Sequence, residues 1–349
     1  MTTRNFAYPK VGALIAAAIT IAGCSTSDNN SGDGSAAAGE TTTRENCGID
    51  VAVTEPPQRI YAAYQPAIEV AHSLGVSDRL IGTAYLDAQV LPEYADAQAT
   101  VDYVESLPSR DELLGENPDF VLSGFNGVFS ETASSSVGTR ASLSALGVQT
   151  WILSPLCPSA DGLADAAIDP ASVRIENIYS DLRDLGALWD VEENAEAVIA
   201  ELTARFEALA NAVGDAEKPR IAVVTPRADG TLSIASGTDF VTQIINAAGG
   251  VNVFEDLTEL RNIQISEEEL IQRNPDIILT SKCCDASYTD DDALPDVETI
   301  RTNPALANID AVRNNQVYPF LFADRAAGVR AAHAAEKIAA LIHPDLVSE

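Results

Sequence analysis

Histidine, basic residues and long apolar runs are all scarce in this chain. Three histidines among 349 residues are too few to converge as a zinc or manganese site, and axial ligation of a haem iron would fall to a tyrosine such as Tyr64 or Tyr85. Lysine and arginine number 21 against 52 aspartates and glutamates, for a formal charge of −31. Such a surface repels nucleic acid and anionic headgroups, so no nucleic-acid partner is expected. The motifs H-E-x-x-H and G-x-S-x-G and a glycine-rich phosphate loop are absent, and the serines of Ser123-Gly124 and Ser236-Gly237 have no histidine beside them in sequence. A surface-anchored hydrolase, the rival reading from the enzyme class, therefore lacks its nucleophile and base. The run Asp290-Asp291-Asp292 lacks the central glycine and closing glutamate of a calcium loop and reads as a solvated acidic loop. No catalytic residue, resident metal or cofactor is expected.

The one notable apolar run is at the start. Arg4 and Lys10 precede the apolar Val11–Ala22, which is short for a membrane span, and Ile21-Ala22-Gly23-Cys24 follows as a small-residue cleavage site. This resembles a bacterial lipoprotein signal over residues 1–23, with Cys24 as lipid acceptor; two acyl chains there would anchor the protein on the outer face of the cell membrane. Removing the signal takes away two basic residues and no acidic one. Residues 24–45, rich in Ser, Gly, Thr, Asn and Ala, read as a flexible tether.

Four further cysteines, Cys47, Cys157, Cys283 and Cys284, permit three disulfide pairings in an exported chain. Cys47 precedes the first expected strand and Cys157 follows the fourth, so a Cys47–Cys157 bridge within one lobe is the natural pairing. Cys283 and Cys284 are then left as a vicinal bridge, as thiols, or for another molecule. Neither a CxxC spacing nor a neighbouring histidine supports a thiolate metal site.

A twelve-residue pattern occurs twice. Glu112-Leu113-Leu114-Gly115-Glu116-Asn117-Pro118-Asp119-Phe120-Val121-Leu122-Ser123 returns as Glu269-Leu270-Ile271-Gln272-Arg273-Asn274-Pro275-Asp276-Ile277-Ile278-Leu279-Thr280. Each copy is an amphipathic helical turn, a stop at Asn-Pro and a strand apolar on both faces. Upstream of each, Arg59-Ile60 and Arg220-Ile221 open another apolar strand. Strands are expected at Ile60–Ala63, Leu80–Ala84, Phe120–Ser123 and Thr150–Ser154, then at Ile221–Thr225, Leu232–Ala235, Ile277–Thr280 and Val317–Pro319. Helices between them argue for parallel sheets. Between the two sets, Val173–Leu188 and Val191–Val213 are helical in pattern, the latter roughly 35 Å long at about 1.5 Å per residue. The fold class is α/β: two Rossmann-like lobes, residues 46–165 and 217–349, joined by a long helix within 166–216, with a ligand cleft between them.

Taken together, lipobox, tether, lobe, long helix and repeated lobe resemble the class III substrate-binding proteins of ABC importers, the carriers of ferric siderophores, haem and vitamin B12. Glu69 with Leu74-Gly75, the two Asn-Pro-Asp motifs, Gly249-Gly250-Val251-Asn252-Val253-Phe254 and Asp310-Ala311-Val312-Arg313 carry the likeness, which spans Cys47 to Pro344; the paired cysteines look like an actinobacterial branch. The resemblance implies an ABC permease and its ATPase as partners. It also implies contact between an acidic residue on the first helix of each lobe and permease arginines, which would be Glu69 and, in the absence of a second glutamate, Asp239. A ferric siderophore is the leading cargo, ahead of a corrinoid, haem or a deazaflavin-type cofactor precursor.

Ligands of open α/β lobes bind beyond the carboxyl ends of the strands. That rule selects Tyr64, Gln65, Tyr85, Asp87, Phe125 and Asn126 in the first lobe. In the second it selects Thr225, Arg227, Ser236, Gly237, Lys282 and Arg325. The aromatic rings suit an organic ligand, and Arg227, Lys282 and Arg325 suit an anionic oxygen.

Overall fold

The computed structural model describes residues 41–130, 136–158 and 168–347, and Gly39–Glu349 form one compact unit. The signal segment, Cys24 and most of the expected tether lie outside the described residues. No helix among those described is long and apolar enough to cross a membrane.

The chain enters through a hairpin, β1 (Thr42–Asn46) against β2 (Ile49–Val53), antiparallel. This corrects the tether boundary, since β1 begins inside residues 24–45. Alternating Thr, Arg and Glu hide the strand in a polar composition, and its anchor is distant in sequence. The Asn46 side chain donates to Ile152 O (2.8 Å) and accepts from Ile152 N (2.9 Å), a backbone-like clasp on the edge of the next sheet. A disulfide joins Cys47 at the hairpin turn to Cys157.

The first sheet contains β3 (Ile60–Ala63), β4 (Leu80–Ala84), β5 (Tyr103–Val104), β6 (Phe120–Ser123) and β7 (Gln149–Ile152), in the order β5-β4-β3-β6-β7 and parallel throughout. Every residue of β3 and β6 is buried, which fits strands covered on both faces. The second sheet comprises β8 (Arg220–Pro226), β9 (Leu232–Ala235), β10 (Val251–Asn252), β11 (Asn262–Ile265), β12 (Ile277–Thr280) and β13 (Val317–Tyr318). Its order is β11-β9-β8-β12-β13, with β10 also beside β8. It is mixed rather than parallel: β9 runs antiparallel to β8, and β11 to β9. The cause is the short link Arg227–Thr231, a turn closed by Arg227 N–H to Thr231 O (3.0 Å) with Gly230 at φ 82°, because so tight a connection reverses the chain.

The Asn-Pro-Asp repeat has a mechanical explanation. Asn117 (φ 51°) and Asn274 (φ 42°) end their helices in the left-handed region, which asparagine tolerates. The aspartate two residues on then clips the start of the neighbouring strand. Asp119 accepts from Gln58 N (2.8 Å) and Arg59 N (3.0 Å), and Asp276 from Arg220 N (2.8 Å). The Arg59 side chain returns to Asn117 O (2.8 Å) and that of Arg220 to Arg273 O (2.6 Å). Each copy therefore sets the register of the central strand pair of its lobe, β3 with β6 and β8 with β12.

The helix Ile175–Trp189 packs on the first lobe and turns at Asp190 into the long helix Glu192–Val213. The long helix reaches both lobes: Asn194 Nδ2 donates to Leu74 O (2.9 Å) near its start, and Arg205 pairs with Glu336 of the last helix, Arg330–Ile342 (2.7 Å). One hydrophobic core runs from Ile60 and Trp151 through Leu182, Leu202 and Leu209 to Ile221 and Phe320. At about 1.5–3 kcal/mol for each large side chain buried, this shared core holds the lobes to one another.

Candidate functional site

The carboxyl ends of both sheets open onto a cleft of about 420 Å³. A more open groove of about 1060 Å³ is formed by the flanks of the long and last helices and the loop beside Tyr318. It receives no side chain from the first lobe, whereas the cleft lies where strand ends from both lobes converge.

One wall is aromatic. Tyr64 and Tyr85 directly follow β3 and β4 with φ of 73° and 62°, conformations that cost side-chain-bearing residues about 1–3 kcal/mol and cluster at functional sites. The first-lobe sheet holds them there, with Tyr64 N donating to Ala84 O (2.9 Å) and Tyr85 N to Val104 O (3.1 Å). Their ring centroids are 4.4 Å apart, and Phe125 meets Tyr64 edge-on at 4.2 Å. Burial, and then the neighbouring Asp87, push the Tyr85 hydroxyl above its ordinary pKa, so it remains a neutral donor at physiological pH.

The facing wall is cationic. Arg325 donates to Asp239 through Nε (3.2 Å), to Ser281 Oγ (3.1 Å) and to Asn262 Oδ1 (2.6 Å), and Arg261 Nε reaches the same Asp239 at 2.7 Å. Phe322 lies beneath both guanidinium groups, 4.4 Å from Arg325 and 5.3 Å from Arg261. Burial raises the Asp239 carboxyl, but Arg325 and Arg261 outweigh it and hold the group below the usual carboxylate range. Two guanidinium groups thus converge on one carboxylate at the cleft wall. Arg227 adds a third guanidinium, exposed at the rim on the β8–β9 turn. In a chain of net charge −31, three arginines on one wall set the cleft apart from the acidic average of the chain.

Of the residues expected from strand ends, Tyr64, Tyr85, Asp87, Phe125, Thr225, Arg227 and Arg325 line the cleft. Gln65, Asn126, Ser236, Gly237 and Lys282 do not. Gln65 is fully buried and receives Asp87 N (3.0 Å) and Ala88 N (3.2 Å) on its Oε1, so it shapes the Asp87 loop rather than touching ligand. Ser236 is fully buried, with its hydroxyl on Leu260 O (2.5 Å). Lys282 turns away to Asp296 (3.8 Å). Both docking residues also require correction. Glu69 is wholly buried, accepting from Leu91 N (3.0 Å) and Arg330 Nε (3.0 Å), and Asp239 is wholly buried between its two arginines, so neither reaches a partner surface. Arg261, Asn262, Ser281 and Phe322 were not anticipated. Asn262 opens β11, whose Asn-Ile-Gln-Ile pattern is a weak strand signal, Arg261 immediately precedes it, and Phe322 sits on a turn after β13. Among the described residues no histidine lines the cleft.

The family of periplasmic binding proteins matches residues 60–320. A cobalamin-binding protein of Halobacterium salinarum is 23% identical over 271 residues, 76% of this chain and 66% of the relative. The chain thus spans just under two thirds of that curated relative's length. Among solved structures, a periplasmic binding protein from Veillonella parvula superposes with a TM-score of 0.74 at 24% identity, covering 87% of this chain and 98% of the other. An ABC-type Fe3+-hydroxamate transport system structure from Saccharomonospora viridis gives 0.68 at 22%, covering 86% and 99%. With a family match that takes in both lobes, the long helix and most of the cleft, the chain belongs to the periplasmic binding proteins.

Proposed function

We propose that this chain is the solute-capturing component of an ABC importer, working outside the cytoplasm with a permease and its ATPase, and that its cargo is a ferric siderophore. The observation that carries the reading is the opposition of an aromatic wall, Tyr64, Tyr85 and Phe125, to an arginine wall, Arg227, Arg261 and Arg325, across one cleft. The organic frame of a chelate packs on the rings while its anionic oxygens meet the guanidinium groups. A volume of about 420 Å³ falls within the range of small-molecule sites. The protein binds and delivers rather than catalyses, and Cys24 carries the lipid that keeps it at the cell membrane. A corrinoid is the second reading, favoured by the cobalamin-binding relative; its propionamide and phosphate edge would take the arginine side.

Titrating residues 39–349 with ferric hydroxamates, ferric catecholates, haem and cobalamin, with tyrosine and tryptophan fluorescence as readout, tests the proposal. Saturable quenching at micromolar or lower concentration by a ferric siderophore is expected. Saturation by cobalamin alone transfers the assignment to the corrinoid, and no saturation by any of the four rejects both. Mass spectrometry of the membrane-extracted protein checks the anchor, with a lipid-bearing peptide beginning at Cys24 as the expected result and an unmodified Cys24 as the contrary one.

A further inference from the structure

Asp87, Cys283 and Cys284 come together at the cleft, each offering one ligand atom within 4.8 Å of the others. They are brought together from opposite lobes. Asp87 belongs to the loop after β4, is 4% exposed, and is held by the Gln65 side chain through Asp87 N and Ala88 N. The cysteines extend β12: Lys282 N donates to Phe320 O (3.1 Å) and Phe322 N to Lys282 O (2.8 Å), which delivers Cys283 to the cleft wall. Asp285 N donates back to Asp87 O (3.3 Å), closing the two loops on each other. Cys283 Sγ then lies 3.4 Å from Asp87 Oδ1, while Cys283 is half-buried and Cys284 exposed.

In this structure the two cysteines are bonded to each other. A disulfide sulfur has no hydrogen to donate to the Asp87 carboxylate, whereas a reduced Cys283 thiol at this distance has one. Reduction of the pair places two soft thiolates beside the Asp87 carboxylate, a donor set that suits thiophilic divalent ions.

We propose that Asp87, Cys283 and Cys284 form a redox-gated site for a thiophilic divalent cation, closed when the cysteines are bonded and open when they are reduced. A small dithiol is the reductant. One of its thiolates attacks a sulfur of the pair to give a mixed disulfide, and its second thiol displaces the remaining cysteine. The Cys283–Cys284 bond breaks, the reductant's own disulfide forms, and two electrons and two protons end on the cysteines. The cation then replaces the two thiol protons. Three protein ligands leave the fourth tetrahedral position open towards the cleft. Because Asp87 and the cysteines come from different lobes, the bound ion also ties the lobes together across the mouth. The site does not depend on which solute the cleft carries.

The test uses the full chain, treated with dithiothreitol, freed of reductant without oxygen, and titrated with Cd(II). Alkylation and mass spectrometry record which cysteines are free, ultraviolet sulfur-to-cadmium absorbance reports thiolate ligation, and equilibrium dialysis reports stoichiometry. One Cd(II) per chain is expected once Cys283 and Cys284 are free, with none bound by the oxidised chain. Binding disappears in the double variant C283S/C284S, and Asp87→Asn weakens it at least about tenfold while the sulfur absorbance persists. Three results overturn the proposal: no binding with Cys283 and Cys284 free, equal binding in C283S/C284S, which places the ion on Cys47 and Cys157, or undiminished affinity in Asp87→Asn. Should Asp87→Asn fail to fold, the oxidised and reduced native chains and the exposed-site variant Cys284→Ser decide the matter, the last by losing the stoichiometric ion or keeping it.

Discussion

Arg330, the first residue of the last helix, lies against Glu69 on the first helix of the opposite lobe, with Arg330 Nε 3.0 Å from Glu69 Oε2 and both side chains buried. Arg330 continues to Asp324 (3.2 Å), which Lys337 also reaches at 2.7 Å. Burial lowers the Arg330 pKa, but Glu69 and Asp324 outweigh it and keep the guanidinium charged. The acidic residue that sequence likeness assigns to permease contact is thus an internal tie between the lobes. Arg330→Ala strands a buried carboxylate and is expected to cost about 3–5 kcal/mol in urea denaturation. A loss below about 1 kcal/mol would mean that Glu69 finds another partner or water.

The cleft arginines separate by their surroundings. Arg227 is exposed and makes no ion pair among those described, so Arg227→Ala should leave stability within about 0.5 kcal/mol of native while weakening an anionic ligand about tenfold. Arg325→Ala removes a partner from the buried Asp239 and should lose both affinity and stability. Calorimetric titration alongside thermal melts distinguishes the two patterns.

Asp181 gives a pH signature opposite to that of Asp239. Burial pushes its carboxyl up to about 7 despite donations from Trp151 Nε1 (2.9 Å) and Ser154 N (2.6 Å). A folded pKa above the unfolded value near 4 means that the folded state holds the proton more tightly. The contribution of Asp181 to stability is therefore largest below about pH 4 and shrinks, by a few kcal/mol, as the pH rises to about 7. Asp239, with its pKa depressed, contributes above the unfolded value and loses that contribution on acidification. Unfolding free energies of native and Asp181→Asn chains between pH 4 and 8 check the sign: the native curve should fall relative to the variant as pH rises.

The Cys47–Cys157 bridge closes a loop over a sequence separation of 110 residues and clamps the entry hairpin to the end of β7. Replacing both cysteines with serine should cost about 2–5 kcal/mol. Since the cleft is assembled from other elements, a folded variant should bind ligand as the native chain does, and chemical denaturation with parallel ligand titration measures both.

Much of the fold was legible because its signals are local. The Asn-Pro-Asp motifs, the largely apolar β3, β6 and β12 and the long helix Glu192–Val213 each announce themselves within one continuous stretch of sequence. The parts that were missed are set by partners far away in sequence. β1 reads as polar tether until Asn46 meets Ile152, and the sequence separation between Glu69 and Arg330 is 261 residues. At the cleft, the strand-end rule located the loops but not the direction of each side chain. Tyr64 and Tyr85 face outward under positive φ, whereas Gln65, one residue on, enters the helix and turns into the core.

Tyrosine fluorescence in the native chain and in Tyr85→Ala, titrated with a ferric hydroxamate, a ferric catecholate, haem and cobalamin, tests the central claim most directly. Trp151 and Trp189 are fully buried, so contact quenching arises at Tyr64 and Tyr85. Saturable quenching by a ferric siderophore, weakened at least about tenfold in Tyr85→Ala, is the expected result. Absence of saturation by all four ligands, or equal affinity in the variant, would contradict a solute-capturing role for this cleft.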